Sequence, residues 1–547
     1  MPGSSWIWLA LIVAAHSYLA AHRLLAYLRY FQQEGYETIR FAKWVNVRSL
    51  TDPAFWLATA SNVLFARSST AAIGLFVVGA ILLALAQPDP RRSGKITLKM
   101  TWRATRVLLV AVILASGFWA VMAMTYPAAD PRAAFFASMI TFAALPAMLI
   151  AANACLLPYE RSVQNHYERD ARNRVADVRP FIVGITGSYG KSSSKAMLAH
   201  ILQYKGPTLA ASGSVNTLMG ITRHIRDELV FGHQFMIVEM GAFKTGSIRR
   251  LCRLTPPSAG LITAVGDMHL ERFGSTDEIV RAKGELAAAV PPGGLLVVNA
   301  DSPGALRIAR GATDRRVLLY GETSTEDLET RIEQVAFSRN GTTFVLRTRE
   351  RSYVCVTPIL GRPIVLNLAG AFTLAAAMGV DPAVIVASMR TLKPVSNRLE
   401  VVEERGVTWI RDAYNSNQFG FRAALEVAAA LPAARRFLAT PGVIELGADQ
   451  FQVNRSLSKE AATVCDSTLI VADTNRKAFE AGHRDAGREG ALVSVSSRRD
   501  AFAWLRDTVK DGDAVILEND LPDLYEQTAG IFWRDNAPRT PGVPAAS

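Results

Sequence analysis

The segment FIVGITGSYGKSSSKAM, Phe181–Met197, leaves its backbone few options. Its first six residues are apolar or β-branched with no polar alternation, the pattern of a parallel strand buried on both faces. GSYGKSS then places two glycines at a turn, and KAMLAHILQ continues with residues that favour a helix. Strand, glycine turn and helix in that order let backbone N–H groups approach an anion at the start of the helix. On this reading Lys191 reaches the outer phosphates of a nucleotide and the Ser192 hydroxyl faces a Mg2+ ion. Thr186, Gly187, Ser188, Gly190 and Ser193 make up the rest of the phosphate turn. A standard Walker A loop has a glycine where this chain has Ile185; the pattern here is T-G-x-x-G-K-S from Thr186 to Ser192.

Upstream the chain changes character. A helix that crosses a bilayer needs about 20 largely apolar residues. Ser5–Leu28, Thr70–Ala86, Val107–Met124 and Ala133–Leu157 are candidates, with Trp6 and Trp8 where an interfacial aromatic belt would sit. No basic stretch precedes the first segment and basic residues follow it, which speaks against a cleaved signal peptide. Arg103 and Arg106 precede the third segment, Arg161 follows the fourth, and only YPAADPR separates the two. They are therefore expected to form a hairpin with both ends in the cytoplasm. Pro146 is expected to kink the last segment. PAFWLATASNVLF before Arg67 offers a further shallow or re-entrant leg, so the expectation is about four helices of open parity. The charged, glycine-free stretch 158–180 suits a short cytoplasmic helix leading off the membrane. None of the four spans carries an acid, which favours anchoring, or presenting a lipid-borne substrate, over transport.

The formal net charge is +12, and basic residues gather around the apolar segments, as in RRSGK at Arg91–Lys95. That is the distribution of a basic juxtamembrane surface. A nucleic-acid partner is not expected, since no nucleic-acid motif accompanies the charge. The four cysteines, Cys155, Cys252, Cys355 and Cys465, form no C-x-x-C, so neither a zinc ribbon nor a disulfide framework is supported.

Beyond the phosphate turn, QFMIVEMGA is a second apolar strand ending in the single acid Glu239, well placed to hold a nucleotide's metal. GLITAVGDMHLERFGS puts His269 after a third strand, RAKGEL puts Lys283 on the next helix, and GGLLVVNADSP ends a fourth strand at Asn299 and Asp301. A lone histidine or helix lysine is ordinarily structural. Their order and spacing after the turn raise these above that.

In this order the chain resembles the Mur ligase superfamily, ATP-dependent amide-forming enzymes of peptidoglycan assembly. The matching stretches are GITGSYGKSS, NTLMG (Asn216–Gly220), VEMGA, LITAVGDMHLERFGS, AKGE, VVNADSP, NRLE (Asn397–Glu400) and RDAYNSN (Arg411–Asn417), spread over Phe181 to Gly447. The resemblance implies that ATP phosphorylates a substrate carboxylate and that an amine then displaces phosphate from the acyl phosphate. It implies two Mg2+ sites, with Lys191 and Ser192 on the phosphates and first metal, Glu239 as a further metal ligand and His269 on the second metal. Lys283 would act as a carbamate formed with CO2. Asn299 would lie near the adenine. Arg398, Asp412, Tyr414 and Asn415 would close over the nucleotide from the next domain, and Asn216 and Thr217 would contact the acceptor.

Three departures stand out. The family's G-x-H-N reads Gly361-Arg362-Pro363-Ile364, although Asn367 matches the asparagine that follows. Phe243-Lys244 replaces an Asn-His pair, and LENDLPD (Leu517–Asp523) stands where relatives tend to have K-G-S-R, which opens the identity of the amine donor, an amino acid or a dipeptide. The membrane segments occupy the place of the family's UDP-gripping domain, so the carboxylate acceptor could be lipid-linked rather than nucleotide-linked.

The expected architecture is an N-terminal α-helical membrane domain followed by α/β domains. It comprises a transmembrane region (1–157), a linker helix (158–180), a central P-loop ATPase domain (181–392), a C-terminal Rossmann-like domain (393–535) and a disordered tail (536–547). Ser338–Pro358 alternates like an antiparallel hairpin. The competing functional readings are a poly-γ-glutamate-synthase-like polymer ligase at the membrane, an ATP-driven transport gate, and a non-catalytic scaffold. A gate predicts an ABC-type signature, which is missing, and a scaffold predicts loss of Lys191, Glu239, His269 or Lys283, all of which are present.

Overall fold

A computed structural model describes residues 3–48, 53–65, 69–86, 89–91, 97–124, 131–242, 244–266, 273–393, 399–412, 417–444 and 446–519. The expected tail, 536–547, lies outside these. The chain divides into one compact unit running to Val163 and another spanning Gln164–Asp520.

The first unit is helical throughout its described elements: Gly3–Gln33, Thr38–Arg48, Pro53–Phe65, Ser69–Ala86, Trp102–Ala123 and the start of Pro131–Val178. Its core is built from Leu19, Leu24, Phe31, Phe76, Phe135 and Leu145. By length and composition, the stretches Ile7–Gln33, Trp102–Met122 and Ala134–Val178 are long and apolar enough to cross a membrane. Thr70–Ala86, one of the four expected spans, is a shorter apolar helix, as is Trp56–Phe65. Contacts join the start of the first expected hairpin helix to the far part of the second, and its end to the second's start. Arg103 donates to Asn153 Oδ1 (3.1 Å), Arg106 pairs with Glu160 (2.7 Å), and Trp119 Nε1 donates to Ser138 Oγ (3.0 Å). The last apolar segment and the charged stretch after it form one continuous helix, Pro131–Val178, which runs through both Pro146 and Pro158. Each proline removes one N–H donor from the ladder, and the helix continues around the loss.

The second unit contains two sheets. The larger has nine strands in the order β2-β3-β1-β4-β5-β6-β7-β8-β9. These are β1 (Phe181–Thr186), β2 (Thr208–Ala210), β3 (Phe235–Glu239), β4 (Ala259–Ile262), β5 (Leu295–Asn299), β6 (Arg316–Gly321), β7 (Thr330–Ser338), β8 (Gly341–Thr348) and β9 (Ser352–Thr357). From β2 to β7 neighbouring strands are parallel; β7, β8 and β9 run antiparallel, as the alternation in 338–358 anticipated. Apolar layers cover both faces, with Leu198, Ile201, Leu368 and Phe372 on one and Ile221, Leu251, Ile279 and Leu286 on the other.

The second sheet, in the order β10-β11-β15-β12-β13-β14, comprises β10 (Glu400–Glu404), β11 (Val407–Asp412), β12 (Arg436–Thr440), β13 (Ser467–Val471), β14 (Leu492–Val495) and β15 (Ala514–Glu518). Only the edge pair β10–β11 is antiparallel. The end of the long helix belongs to this unit. Ala171 and Val175 are buried with Ile225 and Leu229, and Arg174 donates to the Arg226 and Leu229 carbonyls (2.8 and 2.7 Å).

β1 lies between β3 and β4, and the chain leaves it first toward β2 and β3 on one side and then for β4 on the other. Such a reversal opens a crevice at the carboxyl end of the central strand, where ligands of α/β sheets bind. The segment Gly187–Gly190 follows β1 there.

Candidate active site

Two glycines give the turn its shape. Gly190 has φ +83° and caps the helix Lys191–Leu202 without a side-chain cap bond; a Cβ on it would also run into Asn367 Oδ1. A Cβ on Gly187 would collide with Thr263 Oγ1. The loop is tied to the end of β4. Ser188 N and Tyr189 N donate to Ala264 O (2.6 and 3.3 Å), and Thr263 Oγ1 donates to Thr186 O (3.2 Å) and Tyr189 O. The Ser188 hydroxyl donates to Gly266 O (2.8 Å) and accepts from Gly266 N (3.1 Å). The Thr186 hydroxyl donates to Met240 O (3.0 Å), which joins the ends of β1 and β3. Ser193 is buried in the first helical turn.

Two lysine side chains converge on one carbonyl. Lys191 Nζ donates to Gly187 O (2.7 Å) and Ser188 O (3.1 Å), and Lys283 Nζ donates to the same Gly187 O (2.9 Å). Lys283 comes from the helix Thr276–Ala289, whose first turn is capped by Ser275 Oγ accepting from Glu278 N (3.3 Å). Ile279, Ala282 and Leu286 press that helix onto the sheet, and Lys283 is carried inward with them, 4% exposed. Burial first, and the neighbouring Lys191 charge second, hold the Lys283 amine well below the usual lysine range.

The second cluster centres on Glu239 at the end of β3. Its Oε2 accepts from Ser192 Oγ (2.8 Å) and lies 3.4 Å from Lys195 Nζ; its Oε1 accepts from Asn216 Nδ2 (3.1 Å). Ser192 Oγ also lies 3.1 Å from Ser214 Oγ. A hydroxyl and a carboxylate are hard donors of the kind Mg2+ takes, and the Lys191 head beside an uncapped helix start suits a polyphosphate. The donor set fits Mg–ATP.

The remaining expected residues are placed as follows. Thr217 caps the helix Leu218–Glu228 by accepting from Gly220 N (3.3 Å). Asn299 ends β5, 2% exposed, and its Oδ1 accepts from Asp301 N (2.9 Å). Asp301 in turn accepts from the N–H groups of Glu322, Thr323 and Ser324 after β6. Asp412 ends β11 in the other sheet and accepts from Leu399 N (3.2 Å). His269, Arg398, Tyr414 and Asn415 lie outside the described residues, as does Phe243. Lys244 begins the turn before the helix Ser247–Leu254, with its carbonyl accepting from Ser247 N (3.2 Å). The structure thus joins Lys191, Ser192, Glu239, Asn216 and Lys283 around one loop, and it leaves Asn299 and Asp412 at strand ends of the two sheets.

Sequence reasoning missed Lys195, Thr263 and the ring of Tyr189. Lys195 had a readable signal, since it sits one helical turn after Lys191 and so shares its face. The ring of Tyr189 lies 5.5 Å from that of Phe419, at the start of the helix Gln418–Ala430 beside the second sheet. Arg362, which stands in the altered G-x-H-N position, pairs with Glu322 and with Glu426 (2.7 Å).

Residues 185–375 match the Mur ligase middle domain, and residues 397–518 match the Mur ligase glutamate ligase domain. The chain is 32% identical over 366 residues to the UDP-N-acetylmuramoyl-tripeptide–D-alanyl-D-alanine ligase of Mycobacterium bovis, covering 62% of this chain and 70% of that one. The Escherichia coli K12 ligase of the same name is 31% identical over 269 residues, 49% of this chain and 59% of its own. In fold it is similar to MurF from Acinetobacter baumannii, with a TM-score of 0.59 at 24% identity over 65% of this chain and 77% of that one. Matched domains in the expected order and a relative at this identity over most of its length agree: the chain belongs to the Mur ligase family of ATP-dependent amide ligases.

Proposed function

We propose that this protein joins a carboxylate acceptor to an amine donor at the cytoplasmic face of a membrane, as a step of peptidoglycan precursor synthesis. The relatives it resembles are named for joining D-alanyl-D-alanine to a UDP-muramoyl tripeptide. A dipeptide donor and a nucleotide-linked acceptor are therefore the first substrates to test, and a lipid-linked acceptor is the alternative that the apolar N-terminal helices bring forward. The observation that carries the reading is the pairing of two clusters on one loop, Ser192 with Glu239 at 2.8 Å and Lys191 with Lys283 on the Gly187 carbonyl.

In this reading the acceptor carboxylate attacks the γ-phosphorus of ATP, ADP leaves, and the amine then attacks the acyl phosphate and expels phosphate. A carboxylate and a triphosphate repel each other, so positive charge must be fixed before they meet. Lys191 supplies part of it, together with the N–H groups of the helix start. Mg2+ would be held by Ser192 and Glu239, with His269 for a second ion, and would offset the developing phosphate charge. Asn299 is assigned to the adenine side, Arg398, Asp412, Tyr414 and Asn415 to closure from the second sheet, and Asn216 and Thr217 to the acceptor. A neutral amine is the form that adds CO2, and the burial that keeps Lys283 below the usual lysine range favours that form. A carbamate at Lys283 is proposed on this basis.

The test is phosphate release by detergent-solubilised protein with ATP, Mg2+ and D-alanyl-D-alanine, offered UDP-muramoyl tripeptide or its lipid-linked counterpart. Acceptor-dependent release that Lys191→Ala abolishes supports the ligase reading. Release that ignores both acceptors, or that survives Lys191→Ala, overturns it.

A further inference from the structure

From the buried pair at the phosphate turn, we infer that Lys195 is a positioning residue that stands in for the metal's charge at Glu239 and links that carboxylate to the segment 211–217. The inference rests on the reading of Glu239 as a metal ligand.

Lys195 lies four residues after Lys191 on the helix Lys191–Leu202, on its sheet-facing side, and its side chain is 3% exposed. The Glu239 side chain beside it is 1% exposed, with Oε2 3.4 Å from Lys195 Nζ. Lys195 Nζ also donates to Gly213 O. Gly213 belongs to ASGSVNT, 211–217, the segment that carries Ser214, which meets Ser192, and Asn216, which donates to the other oxygen of Glu239. One ammonium therefore touches both the carboxylate and the backbone of the segment whose side chains complete its shell.

An ionised carboxylate this deeply buried needs a counter-charge. With Mg2+ bound, the metal supplies one directly; without it, Lys195 is the cation within ion-pair distance among the described residues. Removing one member of a buried pair is far more costly than removing both, because the survivor is left uncompensated. The cost of losing Lys195 should therefore depend on whether the metal is present. A lysine that merely packed the helix would show no such dependence.

The experiment compares the unfolding midpoints of full-length wild type, Lys195→Met, Glu239→Gln and Lys195→Met/Glu239→Gln, each with EDTA and with saturating Mg-ADP. Metal-free Lys195→Met should unfold about 6 °C or more below wild type. The double variant should recover at least half of that loss, and Mg-ADP should narrow the gap between Lys195→Met and wild type by at least half. Lys195→Arg, which keeps the charge, should stay near wild type in EDTA. If Lys195→Met does not fold alone, a folded double variant supports the pairing, and an equally unfolded one overturns it. A gap that Mg-ADP leaves unchanged, or losses that simply add, also overturns it. A wild type that Mg-ADP fails to stabilise counts against the ATP reading instead, and the metal-free cycle then decides Lys195 by itself.

Discussion

Gly190→Ala isolates what the phosphate turn requires of its backbone. At φ +83° an alanine meets the left-handed penalty of about 1–2 kcal/mol. Its Cβ also meets Asn367 Oδ1, and forcing a methyl into an occupied site costs about 1–3 kcal/mol more. The turn can shed this strain by leaving its shape, so the loss should fall on ligand binding rather than on the global fold. A cost of about 2–5 kcal/mol corresponds to a dissociation constant for Mg-ADP raised roughly 30- to 4,000-fold. Calorimetric titration of ADP at saturating Mg2+ measures this, with the unfolding midpoint as control. The collision has its own signature: in Gly190→Ala/Asn367→Ala the steric share should return, leaving the backbone share of about tenfold. Affinity within threefold of wild type for Gly190→Ala would refute the reasoning about the turn. Additive losses in the double variant would refute the part assigned to Asn367.

Other consequences follow from single contacts. Lys283→Ala should lose at least about 100-fold in turnover, since a general charge-placing group is removed, and a small carboxylate such as formate should restore part of it; a well-folded variant with no rescue counts against the carbamate. His483 should make the fold acid-sensitive. The Ser458 hydroxyl donates to Phe479 O (2.7 Å), so at 2.7 Å it accepts from His483 Nδ1, and Nε2 is buried without a partner among the described residues. Burial holds the folded pKa below the usual 6.5, so the unfolded chain takes up a proton first; stability is full above about pH 6.5 and falls as pH drops through it. Urea midpoints at pH 7.5 and 5.5 should separate for wild type by more than for His483→Asn. Arg362→Ala should cost only about 1 kcal/mol, because its pairs with Glu322 and Glu426 are partly exposed. The difference from wild type should shrink in 1 M salt.

The strand, turn and helix around Lys191 were legible because each of their signals is local. β-branched residues mark β1, glycines mark the turn, and the helix formers that follow fix where Lys191 and Ser192 point. Glu239 was legible for the same reason, as the one acid at the end of an apolar run. What local patterns do not encode is which distant groups share a partner. Lys283 reaches the Gly187 carbonyl across 96 positions, and only the strand order around β1 brings the two together. The strands β10 and β14 escaped notice because they are edge strands whose residues are half-buried or exposed, so the apolar run that marks a central strand is diluted. The separation of the last apolar segment from the linker helix was a composition boundary. Composition changes at Pro158, but the backbone ladder does not end there, and the structure keeps one helix through it.

The two clusters at the loop differ in how they handle charge, and the difference bears on the order of events. Glu239 is buried with a cation, a hydroxyl and an amide already on its two oxygens, so both oxygens have partners before any ligand arrives. Lys283 is buried opposite another lysine, and its charged form is disfavoured first by that burial and then by the Lys191 charge on the same carbonyl. A polyphosphate competes with the Gly187 and Ser188 carbonyls for Lys191, since a charge-assisted bond to phosphate is stronger than one to a neutral carbonyl. Its arrival would therefore draw the repelling cation away and bring negative charge toward the amine, and both changes favour the charged form of Lys283 against the burial that opposes it. Any chemistry that needs Lys283 as a neutral nucleophile is accordingly favoured more before the nucleotide binds than after it.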